Sequence, residues 1–404
     1  MKSLAPPPAS AIAFREDPLA FLEHLSQSGQ AVAPLPFRMH GGDAALVNDP
    51  ALAARLLADV HFQKWNAFSG IPETLGRGIL TSEDPIHAQV RRAVQPAFHA
   101  GMADAWTQII SSLAAEAIGS ELSPGARDIH PFFQRLALRI AGRILFALDL
   151  DAFTADLLAS IAELQQFYDA RDYAPAADQR FTRARNRLAE LLADILESQP
   201  DALRDGPVFR MLAESPDIPR SQIPDEFHSI LLAGSVTTAA TLAGACVRLA
   251  NDPVNVPLDD AGLDAVFCET LRLAPPAWLH MREATCDGVL GDVSYRAGDR
   301  FMVCTWSLHR RPESFPEPHA FRPERWLAGL ERKLPPGAFL PFSVGPRSCL
   351  GARFARLEAT IVLRALLARF RITPAHGHPP LRWLPRVTLV PANGAWITLS
   401  HHHD

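Results

Sequence analysis

One cysteine in a ten-residue stretch constrains this chain more than any other feature: Phe342-Ser343-Val344-Gly345-Pro346-Arg347-Ser348-Cys349-Leu350-Gly351, which fits FxxGxRxCxG. A lone thiolate donates to a metal. Glycines on either side let backbone come close to a flat macrocycle, where a Cβ would collide. An arginine two residues before the cysteine can pair with a carboxylate at the macrocycle's edge. The competing reading is a glycine-punctuated loop around an ordinary buried cysteine. The run from Ala352 to Phe370 follows directly, with apolar residues at helical spacing and no interior Gly or Pro. It predicts a helix whose first amides point at the thiolate and stabilise negative charge there.

Three further segments accompany the motif. Glu269-Thr270-Leu271-Arg272 sets a carboxylate and a guanidinium three apart on one helix face, where they can share a partner. Leu273-Ala274-Pro275-Pro276 follows, and then Phe321-Arg322-Pro323-Glu324-Arg325-Trp326. His87 and Arg91 stand four apart, again on one face. Leu231-Leu232-Ala233-Gly234-Ser235-Val236-Thr237-Thr238 lies inside a long helical pattern after Pro224. Taken singly, these segments read as a solvated ion pair, a solvated face and a small-residue packing seam.

Together with the cysteine loop they resemble the cytochrome P-450 superfamily, the haem-thiolate oxygenases. The resemblance implies Cys349 as axial ligand of the iron of haem b, Phe342 packed beside the sulfur, and Gly351 close to the macrocycle. It implies a buried, structural network of Glu269, Arg272 and Arg325 supporting the cysteine loop. It makes His87, Arg91, Arg282 and Arg347 a clamp for the haem propionates. The segment with Gly234 becomes the distal helix crossing the haem face. There Gly234 allows close approach, and Thr237 turns its hydroxyl to the Ala233 carbonyl, with Thr238 beside it. Arg92, Arg353 and Arg356 would form a proximal basic patch for an acidic ferredoxin or flavodoxin, served by its reductase.

The chain departs from the family at Val236, where an Asp or Glu usually precedes the threonine and feeds protons to bound dioxygen. Protons then come through ordered water and Thr237 or Thr238, or through the substrate. Alternatively the enzyme uses peroxide, or catalyses a non-hydroxylating isomerisation or dehydration. A haem-binding sensor is the reading from another class.

Composition agrees with a large globular core: 404 residues, 48% hydrophobic and 21% charged, with a net charge of −5. No basic domain emerges, which argues against a nucleic-acid partner. Thirty-five prolines fall mostly between helical stretches. The first residues hold no apolar run long enough for a signal or membrane anchor. Five cysteines without CxxC spacing suit a reducing cytoplasm. A soluble, cytoplasmic, monomeric protein of bacterial type is the expectation.

Helices are expected over Asp17–Ser28, Pro50–Asp59, Val90–Ala117, Phe132–Phe146, Ala152–Tyr168, Ala176–Glu197 and Pro224–Asn251. Short strands are expected at Ala31–Phe37 and Asp43–Val47. Val293–Thr305 and Arg386–Thr398 read as strands or hairpins turning at Ala297-Gly298 and Asn393-Gly394. The fold class is mainly α with small β-sheets at one edge, in one domain over 1–404, with residues 1–16 a poorly ordered N-terminal segment and 399–404 a tail. By position, the substrate pocket draws on Phe62, Trp65, Phe68, Phe167, Leu232, Ala233, Trp278 and Val387, with His280 as its polar exception. That lining suits a hydrophobic terpenoid, fatty acyl or polyketide-like substrate of specialised metabolism.

Overall fold

The computed structural model describes residues 9–39, 43–65, 76–167, 179–252, 254 and 256–402. Twelve helices of eight residues or more lie among them: α1 (Ala9–Glu16), α2 (Pro18–Ser26), α3 (Pro50–Ala58), α4 (Ile86–Val94), α5 (Ala103–Glu121), α6 (His130–Phe146), α7 (Thr154–Gln166), α8 (Gln179–Ser198), α9 (Pro207–Glu214), α10 (Ile223–Asn251), α11 (Asp260–Leu273) and α12 (Ala352–Arg369). Strands β1 (Val32–Pro34), β2 (Ala44–Val47), β8 (Arg300–Cys304), β5 (Leu279–Ala284) and β3 (Phe62–Lys64) form one five-stranded sheet in that spatial order. Small sheets join β4 (Gly125–Asp128), β12 (Trp396–His401) and β9 (Phe370–Pro374), then β6 (Gly288–Leu290) with β7 (Val293–Tyr295), and β10 (Trp383–Pro385) with β11 (Leu389–Pro391).

The helix at the centre is α10. It is long and apolar enough to cross a membrane, but 78% of its most apolar window is buried inside the protein. It packs against α6, α11 and α12, and its hydrophobicity all round is that of a core helix.

Three sequence expectations fail for identifiable reasons. The single helix expected over Val90–Ala117 is broken between α4 and α5 by two 3₁₀ turns, Gln95–Phe98 and Ala100–Met102, because Pro96 lacks an amide donor and Gly101 favours a turn. Neither late turn closes a hairpin. β7 pairs with β6, while β8 runs between β5 and β2. Likewise β11 pairs with β10, and β12 with β4 and β9. Long-range pairing overrode the local turn signal, and β8, buried from Phe301 to Cys304, gained a partner on each side.

Two buried carboxylates tie these elements around the cysteine loop. Glu269 and Arg272 are fully buried, and Arg272 donates to both Glu269 oxygens at 2.9 and 2.8 Å. The Arg322 amide, Trp326 indole and Arg325 guanidinium reach the same carboxylate at 2.9, 2.8 and 3.2 Å. Arg272 also donates to the His309 carbonyl, and the His309 Nε2 accepts from the Leu340 amide at 2.8 Å, just before the loop begins. The second carboxylate, Glu226, lies near the start of α10. It accepts from the Ile79 amide and the Gln222 side chain, both at 2.8 Å, while neighbouring Asp225 accepts from the Arg77 amide. Segment 76–82 is thereby docked on α10, and Gly78 packs there against Ser229 where a Cβ would collide.

Glu269→Ala should lower stability by about 3–5 kcal/mol, because it leaves buried guanidinium charge uncompensated; a urea midpoint unchanged from the parent would contradict this. For Glu226, burial pushes the carboxyl up to about 7, against the opposing Gln222 and Ile79 hydrogen bonds. The folded value lies above the unfolded one of about 4.3. Its contribution to stability is therefore complete below that lower value and lost as pH rises through about 7. Glu226→Gln removes this titration, so the drop in Tm between about pH 5 and pH 8 should shrink; equal drops in both proteins would refute the assignment.

Candidate active site

The cysteine loop is held by contacts from three directions. The Cys349 amide donates to the Phe342 carbonyl at 2.8 Å. Gly345 has φ +76° and lies so close to the end of α3 that a Cβ would meet the Ala58 Cα at 2.5 Å. Arg91 on α4 donates to the Ser348 carbonyl at 2.6 Å and to its hydroxyl at 3.1 Å. Cys349 sits deep in the protein, yet its side chain is open to a water-sized sphere, so it lines an internal space. Burial pushes the thiol up from its ordinary value, opposed by the Gly351 amide and the Arg91 charge. A Cβ on Gly351 would meet nothing nearer than 4.0 Å, the Cys349 Sγ included. Packing within the chain does not demand glycine there, but glycine leaves the space beside the sulfur clear.

The middle of α10 is half-exposed at Leu232, Ala233, Gly234, Val236 and Thr237, between buried Leu231 and Thr238. The Thr237 hydroxyl donates to the Ala233 carbonyl at 2.9 Å and that of Thr238 to the Gly234 carbonyl at 3.2 Å. A Cβ on Gly234 would make ordinary contact with Ala141 and Leu145 of α6, at 3.6 and 3.9 Å, and Gly234 is half-exposed like Ala233 beside it.

The edge of the space is strongly cationic. His87 and Arg282 are each 4% exposed. Arg347 donates to the Ser82 carbonyl at 2.6 Å and pairs with Glu83. Burial and the neighbouring Arg347 charge push Arg282 down to about 10 and His87 to about 4. His280 is held down to about 3 by burial and then by Arg282 and Lys64, and its Nε2 is buried without a hydrogen-bond partner. Sequence reasoning missed Lys64 and Glu83. Lys64 faces Arg282 across the β3–β5 register, and Glu83 reaches both the Arg347 guanidinium and the Lys64 amide. No motif carries this signal, since the pairing joins strands more than two hundred residues apart.

Several expected pocket residues stand elsewhere. Trp65 packs with Leu279, Met281 and Trp383 on the opposite sheet face from Arg282, with Arg300 stacked 4.7 Å above its ring. Trp278 is 1% exposed and donates its indole N–H to the Arg386 carbonyl, leaving no surface for a ligand. Phe62 packs on Tyr295 and Phe301, Phe167 on Phe181, and Val387 is exposed. Phe68 lies outside the described residues. Leu232 and Ala233 are half-exposed on α10. In the basic patch, Arg92 and Arg353 are exposed, but Arg356 is engaged by Asp264 at 2.9 Å and Glu331 at 3.0 Å, so its charge is already spoken for.

These groups fit a flat dianionic macrocycle: one thiol on the floor, an apolar stripe with a hydroxyl above, and clustered cations at the rim facing few carboxylates. The family profile of cytochrome P450 matches residues 262–397. Cyclooctat-9-en-7-ol 5-monooxygenase of Streptomyces melanosporofaciens is 29% identical over 89% of this chain and 86% of its own. Cyclooctatin synthase of the same organism is 27% identical over 94% and 90% respectively. A six-coordinated cytochrome P450 from Thermus thermophilus superimposes with a TM-score of 0.79 at 28% identity, covering 96% of this chain and 99% of that one. With these likenesses joined to the site's geometry, the chain belongs to the cytochrome P450 superfamily.

Proposed function

We propose that this cytochrome P450 monooxygenase inserts one atom of dioxygen into an apolar terpenoid-like molecule, using haem b that Cys349 would hold through its sulfur. The observation that carries the reading is the cysteine loop with cations gathered on it: Arg91 on the Ser348 carbonyl, Arg347 on the Ser82 carbonyl and beside Glu83, and His87 and Arg282 buried. Haem iron with a thiolate ligand supplies dioxygen activation and O–O cleavage. The chain's own residues do the rest. The Gly351 amide and Arg91 favour charge on the sulfur, with Phe342 beside it. His87, Arg91, Arg282 and Arg347 would hold the propionates. Leu232, Ala233 and Val236 exclude water and give an apolar substrate its contact surface.

Thr237 is the proton-holding group. Its Oγ1 rests on the Ala233 carbonyl and needs only a χ1 rotation to turn its hydrogen toward the space. Val236 cannot carry a proton, so delivery runs through Thr237, Thr238 and water. The apolar Val236 is also the specific observation favouring the second reading, a peroxygenase, because peroxide arrives with its protons. A terpenoid substrate is supported by the Streptomyces relative whose name gives cyclooctat-9-en-7-ol as substrate. Electrons would come from a separate acidic ferredoxin or flavodoxin. Its docking place would be the depression of about 470 Å³ lined by Arg91, Arg92, Gln95, His99 and Pro346, beside the cysteine loop. The protein would act as a cytoplasmic monomer.

Carbon monoxide added to the reduced protein should give the red-shifted Soret band of a haem-thiolate, lost in Cys349→Ala. Its absence from the parent would sink this reading. Thr237→Val should lower product formed per electron consumed by about tenfold or more, toward the 10²–10⁴-fold worth of a positioned proton donor. Val236→Asp should raise that ratio. If neither substitution moves it while peroxide alone sustains turnover, the peroxygenase reading replaces the first.

A further inference from the structure

Residues 76–83 are joined to the rest of the protein at two ends of different character. One end lies on the start of α10, where the Arg77 amide donates to Asp225 Oδ2 and the Ile79 amide to Glu226 Oε2, both at 2.8 Å. Gly76, at φ +63°, packs there on the Asp225 carboxyl and Gly78 on Ser229, and a Cβ at either position would collide. At the other end the Ser82 carbonyl accepts from Arg347, Glu83 pairs with Arg347, and the Leu80 carbonyl meets Lys64 Nζ. Between these ends the segment is tied to itself. The Thr81 hydroxyl donates to the Gly76 carbonyl at 2.6 Å, and the Thr81 and Ser82 amides donate to the Gly78 carbonyl at 3.0 and 2.9 Å. Such a segment opens as one cooperative piece.

The cysteine-loop end holds an ion pair, whereas at the α10 end no cation meets the buried acid. Glu226 is fully buried, and its two oxygens take neutral donors, the Ile79 amide and the Gln222 side chain. Asp225 beside it opposes a second negative charge, Arg77 is exposed, and His228, two residues on, is held down to about 4 by burial. A buried carboxyl with only neutral donors is favoured in its un-ionised form. Gly78 sits on Ser229, one turn before the half-exposed Leu232 and Ala233.

We propose that residues 76–83 form a strap that leaves α10 when Glu226 loses its proton and swings on its Arg347 tether, opening the way along α10 to Leu232, Ala233 and Thr237. The role in ligand entry rests on the haem-thiolate reading above; the release itself does not. Burial pushes Glu226 up to about 7, against the Gln222 and Ile79 hydrogen bonds, and in water the carboxyl returns to about 4.3. Attachment of the strap is therefore complete below the lower value, weakens about tenfold per pH unit between the two, and has lost this contribution once pH passes the higher one.

The experiment is hydrogen exchange of the Arg77 and Ile79 amides in the holoenzyme between about pH 5 and about pH 7, each rate divided by that of the unstructured chain at the same pH. Protection in the parent should fall by about tenfold or more across this range, while the Cys349 amide, bonded to the Phe342 carbonyl, keeps its protection. Glu226→Gln cannot ionise, and the Gln222 amide can turn to accept from it, so its protection should stay level. n-Butyl isocyanide, which is apolar and does not titrate, should bind the reduced parent several-fold faster at the higher pH and bind Glu226→Gln at one rate. Parent protection that stays level, or a Glu226→Gln profile as steep as the parent's, overturns the strap. So does a matching loss at the Cys349 amide, which marks general loosening instead of release. An isocyanide rate that ignores the protection overturns the role in entry. If Glu226→Gln does not fold, the parent profile decides. A parent that lacks the haem-thiolate band but loses protection with pH overturns the proposed function and leaves the strap in place.

Discussion

The fully buried carboxylate of Glu269 is the interaction on which the remaining architecture depends. It takes donors from its own helix through Arg272, from the backbone at Arg322, and from the side chains of Arg325 and Trp326. Arg272 spends its remaining hydrogens on the carbonyls of His309, Pro318 and Ala320. A buried ion pair gains little net stability over apolar groups of the same shape. What this one provides is registration: one anion fixes the relative position of α11, the turn at 317–326 and, through His309 and Leu340, the entry to the cysteine loop. A thiolate that must meet a metal at a fixed height needs that kind of restraint more than it needs added stability.

The floor and ceiling of the site are built by different means. Below, the loop is held at Phe342, Gly345, Ser348 and Cys349 by hydrogen bonds and close approach, which leaves little freedom. On α10, which is held by packing against α6, α11 and α12, the threonine hydroxyls bond back one turn. Such bonds exchange readily with water or ligand, since each hydroxyl has other rotamers available. On the proposed function, rigidity would sit where the metal is held and adaptability where dioxygen, water and substrate come and go.

What was legible in the sequence follows from how local each feature is. The cysteine loop, the Glu269–Arg272 pair and the His87–Arg91 pair are short-range patterns; spacing alone suggested solvated pairs, yet Glu269, Arg272 and His87 are buried. The back-bonded Thr237 hydroxyl is equally local. The substrate residues were not legible, because strand alternation decides which side of a sheet a residue serves. Trp65 and Lys64 are neighbours in sequence, yet Trp65 faces the Trp383 cluster and Lys64 the cationic rim. The chain-distant pair Lys64–Arg282 could be seen only once β3 and β5 were in register.

The cationic rim and the apolar ceiling bear on the same question from opposite sides. Val236 removes the one carboxylate that the family sets above the iron, while Lys64 adds a cation at the edge below it. Both changes make the surroundings of the site more positive or less negative. Positive potential around an iron centre favours its reduced, less positive form, just as it favours thiolate over thiol. On the proposed function, that electrostatic setting would assist electron arrival, while the proton supply would rest on neutral hydroxyls. The two would be lodged in different elements. The first would belong to β3, β5 and the cysteine loop, where the cations are buried. The second would belong to α10, where Thr237 and Thr238 would share the task with water.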